Sequence, residues 1–449
     1  MSDSQLYRQH LEILDRDLQK ALDAAGRKGL PLRGVLFHAG SETPYHADDN
    51  MIAFRATPHF LRWVPLQSPD HLVLARPGRK PTVVRVRPKD YWYDTSPPPT
   101  SYWEEEVELL EVESLDDGLK ALGSLDGIAY VGSSPAAAAK AGISEDRVEP
   151  PALLAPLDWY RATKTPHEAA QLRLAARRAA AGHHAAREAF EAQATEQEIH
   201  WAFLRATGQM GTEVPYGTIV ALDDKAAILH YQHKRGAETG PGSILLIDAG
   251  AGHEGQAADI TRTWARPDTD PAMVQLLHGL DALERDLVAL VTPGRPYLEI
   301  HLEAHRRIGD LLAEVGVVRG SGAAALERGI VGVFMPHGVG HHLGLQVHDV
   351  GGFQAGPEGG RVPPPEEHPF LRNTRILEPG HSVTIEPGIY FIPMLLEPLR
   401  ASAAGSLIDW PLVDRLTPLG GLRIEDDILC TEGAPRDLTR DLIAGPRGV

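Results

Sequence analysis

Four carboxylates stand inside or at the ends of apolar runs, where an ionised group is least welcome. Asp248 closes "ILLID", Asp259 lies eleven residues later in "AADITRT", Glu386 ends "SVTIE" before a Pro-Gly pair, and Glu425 follows Ile424 in "GLRIEDDILCT". Each run reads as a strand, because aliphatic and β-branched residues gather between Gly and Pro. Alternation puts Asp248 on one face with Leu246, and Asp259 on one face with Thr261. In the last run Arg423, Glu425 and Asp427 share a face opposite Ile424 and Ile428. A carboxylate buried in a strand needs a partner, a metal or a shifted pKa. For either aspartate alone, an edge strand facing water is an equal explanation. The histidine-rich "FMPHGVGHHLGLQVHD" at 334–349 adds four of the chain's 21 histidines, at 337, 341, 342 and 348. Together these features require a fold that gathers distant strands around one acidic site.

At 449 residues the chain is too long for one ordinary core and predicts two or three domains. Hydrophobic residues make up 43% and charged residues 23%, a globular balance. A net charge of −17 argues against nucleic acid and anionic membrane as partners. It also means that a dense carboxylate cluster needs cations. Cys430 is the sole cysteine, so no intrachain disulfide forms, which fits a reducing compartment. The N-terminal "MSDSQLYRQHLEILDRDLQKAL" is charged throughout and reads as neither signal peptide nor anchor. The expectation is a cytoplasmic protein.

Leu11, Leu14, Leu18 and Leu22 predict a first helix over 4–25. Strand-like runs at 34–40, 71–78, 81–87 and 127–132 follow, with a helix at 135–142 and a Pro-rich loop at 95–103. This is a mixed α/β domain over 1–160. A second domain, 161–449, opens with a long helix whose capping box is Thr165, Pro166 and Glu168. Thr195 with Glu198, and Asp270 with Pro271, mark further helix starts. The order helix, helix, strands, helix, helix, strands suggests a doubled unit. The Gly-, Pro- and Glu-rich stretch 352–373 reads either as a lid or as a surface insertion.

Four carboxylates and an imidazole, with no thiolate, suit Mn²⁺, Mg²⁺ or Co²⁺, with Zn²⁺ an alternative. Four negative charges match two divalent ions bridged by carboxylates and a hydroxide. Such a pair favours hydrolysis of an amide or an electrophile of similar shape.

Five long segments carry a resemblance that spans nearly the whole chain: "YGTIVALDDKAAILHY", "LLIDAGAGHEGQAADITRTW", "FMPHGVGHHLGLQVHDVGGF", "LRNTRILEPGHSVTIEPGIYF" and "GGLRIEDDI". They resemble the prolidase (Xaa-Pro dipeptidase) family of dinuclear metallopeptidases. Its pita-bread catalytic domain is shared with methionine aminopeptidase, aminopeptidase P and creatinase. The long loop after 350 most resembles the bacterial form, close to organophosphorus acid anhydrolases. The resemblance implies an α/β (α+β) chain whose N-terminal domain serves dimerisation and the site rim. It implies two divalent ions per subunit, Mn²⁺ foremost, held by Asp248, Asp259, His341, Glu386 and Glu425. Asp259 and Glu425 would bridge both ions, and Asp248 would serve one alone.

The same resemblance implies that Arg372 binds the substrate's carboxylate, and that His230 and His348 line the substrate side. Tyr216 and His337 become wall residues, and Glu386 also passes the proton from water to the leaving proline nitrogen. Arg423 is either a partner of a ligand carboxylate, the favoured reading, or an oxyanion contact. Asp49 is an acidic residue that could reach a partner subunit's site in a homodimer. His342, His253 and His381 are expected to face solvent. The implied activity is hydrolysis of Xaa-Pro dipeptides, with organophosphate esters and fluorides as side substrates. Aminopeptidase P is the nearest alternative, and a metal-free binding protein the remote one.

Overall fold

The computed structural model describes residues 2–92, 100–236 and 240–443. Part of the Pro-rich loop expected at 95–103 falls outside them. Two compact units divide the chain: Met1–Ala170 with Gln354–Gly360, and Gln171–Phe353 with Arg361–Val449.

The first unit is built on five strands: β1 (Gly34–His38), β2 (Leu72–Ala75), β3 (Thr82–Val86), β4 (Glu108–Val112) and β5 (Ile128–Val131). They run in the order β4-β3-β2-β1-β5, parallel at β1/β5 and β3/β4 and antiparallel between. Both faces of β1, β2 and β5 are buried, hence their continuous apolar sequences. β4 was not foreseen. Its sequence, ELLEV, lacks strand alternation, and it lies half-exposed at the sheet edge, where acidic residues are tolerated. Helix α1 (Asp3–Arg27) buries the leucine stripe, including Leu14, Leu18 and Leu22.

The second unit takes most of the long helix Pro166–Glu191, followed by Glu196–Thr207. The expected capping boxes form: Thr165 N donates to Glu168 Oε2 at 2.9 Å, and Thr195 N to Glu198 Oε2 at 2.9 Å. The alanine-rich face of the long helix lies against the sheet of β6 (Ile219–Leu222), β7 (Ile244–Asp248) and the strand Thr261–Ala265. Ala175, Ala176 and Ala179 are fully buried there beside Val220 and Ile247. Gly182 lets the second helix come close, since a Cβ would lie 2.5 Å from the Phe203 ring. The short hairpin Gly252–His253 with Gln256–Ala257 joins β7 to the strand Thr261–Ala265.

Two more helices, Pro271–Val288 and Tyr297–Glu314, pack on a large core with Leu276, Leu280, Ile300 and Ile308. Then come strands Ser382–Ile385, Gly388–Tyr390, Gly421–Arg423 and Asp426–Leu429. The sequence predicts only strand and loop beyond Glu314, whereas the structure adds short helices Gly322–Glu327, Ile330–Phe334, Pro393–Ala401 and Trp410–Leu416.

Beneath the strand ends lies a buried ionic knot. Arg262, with no exposed side-chain surface, donates to Asp426 Oδ1 at 2.6 Å and to the Glu425 carbonyl at 2.7 Å. Arg440 pairs with the other oxygen of Asp426 at 2.6 Å. Burial opposes the Asp426 charge, but Arg262 and Arg440 outweigh it and lower its pKa. Removing one member of such a pair leaves a buried charge unmatched. Asp426→Ala is therefore expected to destabilise the fold by about 3–5 kcal/mol, read as a lower denaturant midpoint. A loss under about 1 kcal/mol would place the knot among surface-type pairs.

Candidate metal centre and active site

The acidic residues meet at strand ends, not strand centres. Asp248 is the last residue of β7, and its register partner is Thr261. Asp259 lies two residues before Thr261, outside the strand in which the sequence placed it. The predicted single strand 421–431 is broken between Arg423 and Asp426. Glu425 sits at the break and forms an isolated antiparallel bridge with Thr261. Glu386 directly follows the strand Ser382–Ile385. A carboxylate at a strand end leaves the ladder intact and projects into the space beyond it.

His341 reaches the same space from another segment. Residues 339–343 run beside the strand Ser382–Ile385, with Thr384 N to His341 O and Glu386 N to Val339 O both 2.9 Å. Gly340 makes this approach possible, with φ +148° and space for no Cβ, which would lie 2.2 Å from the Thr384 carbonyl. His341 Nδ1 donates to the His342 carbonyl at 2.9 Å. That fixes Nε2 as the outward nitrogen, 3.4 Å from Asp259 Oδ2 and 3.6 Å from Glu386 Oε1. Ligand atoms of Asp259, His341 and Glu425 all lie within 4.8 Å of one another.

Burial dominates the electrostatics. It raises Asp248 and, helped by Asp259 and Glu386, lifts Glu425 well above the carboxylate range. It pushes Glu386 up to about 7, against the opposing charges of His341 and Arg423. Burial also opposes ionisation of Asp259, but the hydrogen bond and charge of His341 win and lower it. Burial would lower His341, yet Asp259 and Glu386 hold it raised.

A cavity of about 800 Å³ opens over this cluster. Tyr216, His230, His337, His348, Arg372 and Arg423 all line it. The His348 ring stands 4.4 Å from that of His341, nearly perpendicular. Burial, then the charges of His341 and Arg372, lowers His348 to about 4. Arg423 points inward: it donates to Asp248 Oδ2 at 2.6 Å, Thr261 Oγ1 at 3.1 Å and Tyr390 Oη at 2.8 Å. Tyr390 in turn meets His337 Nε2 at 3.0 Å, while His337 Nδ1 donates to Gly338 O at 2.7 Å. This chain of bonds orients His337, which burial and Arg423 keep neutral, down to about 3. Asp49 belongs to the first unit and is exposed on the loop after β1.

Residues 170–432 match the model of Metallopeptidase family M24, and residues 5–159 match that of the Xaa-Pro dipeptidase N-terminal domain. The chain belongs to metallopeptidase family M24. It is 39% identical over 445 residues to a Xaa-Pro dipeptidase of Stenotrophomonas maltophilia, covering 99% of this chain and 98% of the relative. A Xaa-Pro dipeptidase of Proteus mirabilis is 40% identical over 441 residues, covering 97% and 98%. The fold is also that of a variant of Escherichia coli aminopeptidase P, with TM-score 0.70, 22% identity and 96% of each chain covered.

The donor set of this M24 chain fits divalent ions. Among the described residues, two buried carboxylates, Asp259 and Glu425, and two part-buried ones, Asp248 and Glu386, converge with one imidazole and one guanidinium paired to them, too few cations for four charges. Asp248 Oδ1 is buried without a hydrogen-bond partner among the described residues. Hard oxygen donors with one nitrogen suit divalent cations.

Two expectations are corrected. His342 and His381 do not face solvent: they are 1% and 0% exposed, with ring centroids 4.9 Å apart. The close approach of residues 339–343 to the neighbouring strand encloses them. Several polar residues were missed. Thr261 donates to Glu425 Oε2 at 2.5 Å, Asp427 accepts the Asp259 N–H at 3.2 Å, and Tyr390 joins Arg423 to His337. Thr261 and Asp427 carried a signal, since the sequence alternation pairs Thr261 with Asp259 and Asp427 with Glu425. Tyr390, inside "GIYF", carried none.

Raised carboxyls must lose protons before they bind metal, so protons compete with the ion. Metal affinity is expected to fall as pH drops through about 7, the value for Glu386 in the metal-free site. Calorimetric Mn²⁺ titrations at pH 6 and 8, in buffers of differing ionisation enthalpy, should show proton release and weaker binding at pH 6. Equal affinity at both values would contradict this electrostatic picture.

Proposed function

We propose that the chain hydrolyses Xaa-Pro dipeptides, using two divalent ions held by Asp248, Asp259, His341, Glu386 and Glu425. The observation that carries the reading is one cavity combining this buried and part-buried donor set with exposed Arg372. The names of the relatives at 39% and 40% identity support the same substrate class. Mn²⁺ best suits the oxygen-rich set. A cytoplasmic homodimer belongs to the same proposal. No helix among the described residues is long and apolar enough to cross a membrane.

Bound divalent ions supply Lewis acidity toward a carbonyl and acidify water near neutral pH. The chain's own groups supply the rest. The Arg372 guanidinium pairs with the substrate's C-terminal carboxylate in a planar fork. That places the proline ring among apolar wall residues such as Phe370 and Leu371. Glu386 takes a proton from the attacking water and returns it to the proline nitrogen, a poor leaving group until protonated. Its second oxygen lies 4.0 Å from His337 Nδ1, on the cavity wall. His230 and His348 face the cavity and donate hydrogen bonds to the developing oxyanion. Arg423 acts through Asp248, which it holds in place, and is a positioning residue. Tyr216 shapes the wall beside Asp248 and Asp259, whose charges add to burial in raising its pKa.

A carboxylate clamp beside proline excludes longer peptides, which separates this reading from aminopeptidase P. Ala-Pro should be turned over far faster than Ala-Pro-Ala, and the opposite preference would reverse the assignment. Arg372→Ala removes a charge-assisted fork, so KM for Ala-Pro should rise about 10- to 100-fold. Gly-Pro and Leu-Pro hydrolysis should cease on full chelation and return with Mn²⁺. Undiminished turnover in metal-free protein would sink the mechanism. A fluorophosphonate assay reads the proposed side activity.

A further inference from the structure

The helix Tyr297–Glu314 carries a second cluster, made only of imidazoles. His301 and His305 are four residues apart and share a helix face. His368, from the segment after Arg361, completes a triangle with ring centroids 4.4, 4.5 and 4.8 Å apart. One nitrogen from each ring lies within 4.8 Å of the others. His301 and His305 are 1% and 3% exposed. Neither nitrogen of His301, nor Nε2 of His305, has a hydrogen-bond partner among the described residues. A buried polar atom left unpaired is costly, and this cluster contains three such atoms. Burial lowers His301 to about 2 and His305 to about 4, and it lowers His368 too. Near neutral pH each ring therefore keeps a lone pair for a ligand.

We propose that His301, His305 and His368 form a separate three-imidazole site for an ion of the Zn²⁺ class, which fastens the segment 361–373 to this helix. Three neutral nitrogens without a carboxylate favour Zn²⁺, Ni²⁺ or Cu²⁺ over Mn²⁺ or Mg²⁺. The two sites of this unit thus select different ions. A zinc ion bonds each nitrogen at about 2.0–2.1 Å, so the rings must close by about an ångström. His368 is the member free to move, being part-exposed and outside any helix or strand. Its exposure also gives the ion an entry path and a position for a fourth ligand. Four residues later the chain reaches Arg372, and Pro364, Pro369 and Phe370 line the same cavity. An ion held here orders that stretch of wall from behind.

The test uses the full chain and Zn²⁺ alone. The double variant Asp259→Asn, Glu425→Gln removes the two acids expected to bridge the carboxylate centre and should still bind one zinc per chain in equilibrium dialysis. Adding His368→Gln should remove that equivalent, and Co²⁺ should show tetrahedral visible absorption only while His368 is present. In the otherwise unaltered chain, Zn²⁺ should slow hydrogen exchange across 361–373, and His368→Gln should abolish that effect. His368 lies on a loop, so its variant tests the site without removing helix packing. If the double variant binds no zinc, or the added His368→Gln leaves zinc and exchange unchanged, the proposal is overturned. Dipeptidase assays do not enter this test, so its failure and that of the proposed function are distinguishable.

Discussion

Four carboxylates gathered in one buried space repel one another, and the surroundings of the cluster answer that repulsion. Two unit charges 4 Å apart interact by about 4 kcal/mol at an effective dielectric near 20. Arg423 neutralises part of the charge through Asp248, and His341 part of it through Asp259 and Glu386. Thr261 and the backbone tied to Asp427 hold the ligand residues in place. The remaining cost appears as raised pKa values at Asp248, Glu386 and Glu425. A metal-binding protein carries that cost in the metal-free state and recovers it on binding.

The frame that imposes the repulsion is backbone, not side chain. Asp248 is fixed by the β7 ladder, Glu425 by its bridge to Thr261, and Glu386 by the pairing of Val339 and His341 with the strand before it. Each of these three acids thus follows from a backbone pairing, and registers slip only at the expense of a whole buried face. Arg262 braces the frame by bonding the carbonyls of both Thr261 and Glu425. The same guanidinium grips Asp426, so the ionic knot and the candidate metal centre are two sides of one junction.

Much of this was legible in the sequence because carboxylates inside apolar runs have few physical explanations. Asp248, Asp259, Glu386 and Glu425 stood out on that ground, and the structure brings them around one cavity with His341. Helix starts at Thr165, Thr195 and Asp270 were readable because capping chemistry is local. The break at Glu425 was not, since Arg423, Glu425 and Asp427 could share one face of a single strand against Ile424 and Ile428, and it is the bridge to Thr261 that marks the division. β4 escaped because edge strands need not alternate. The burial of His342 and His381 escaped because it depends on a segment tens of residues away. The triangle of His301, His305 and His368 is equally non-local: its third member lies 63 residues beyond the second.

Three successive acids show how closely site and scaffold are interleaved. Glu425 faces Thr261 and the cavity, Asp426 turns to Arg262 and Arg440, and Asp427 turns back to the Asp259 backbone. Strand alternation separates Asp426 from Asp427, and the isolated bridge to Thr261 holds Glu425 just before that strand. Their pKa directions diverge accordingly: Asp426, matched by two guanidinium groups, is lowered, while burial and neighbouring acids lift Glu425 and Asp427. A shift of one residue would put Asp426 into the cavity and turn Glu425 and Asp427 toward the two arginines. In the observed register Asp426 is matched by Arg262 and Arg440, and Glu425 faces the candidate metal centre. The buried ion pair thus compensates Asp426, while Glu425, lifted by burial and its acidic neighbours, is left as the acid that lines the cavity.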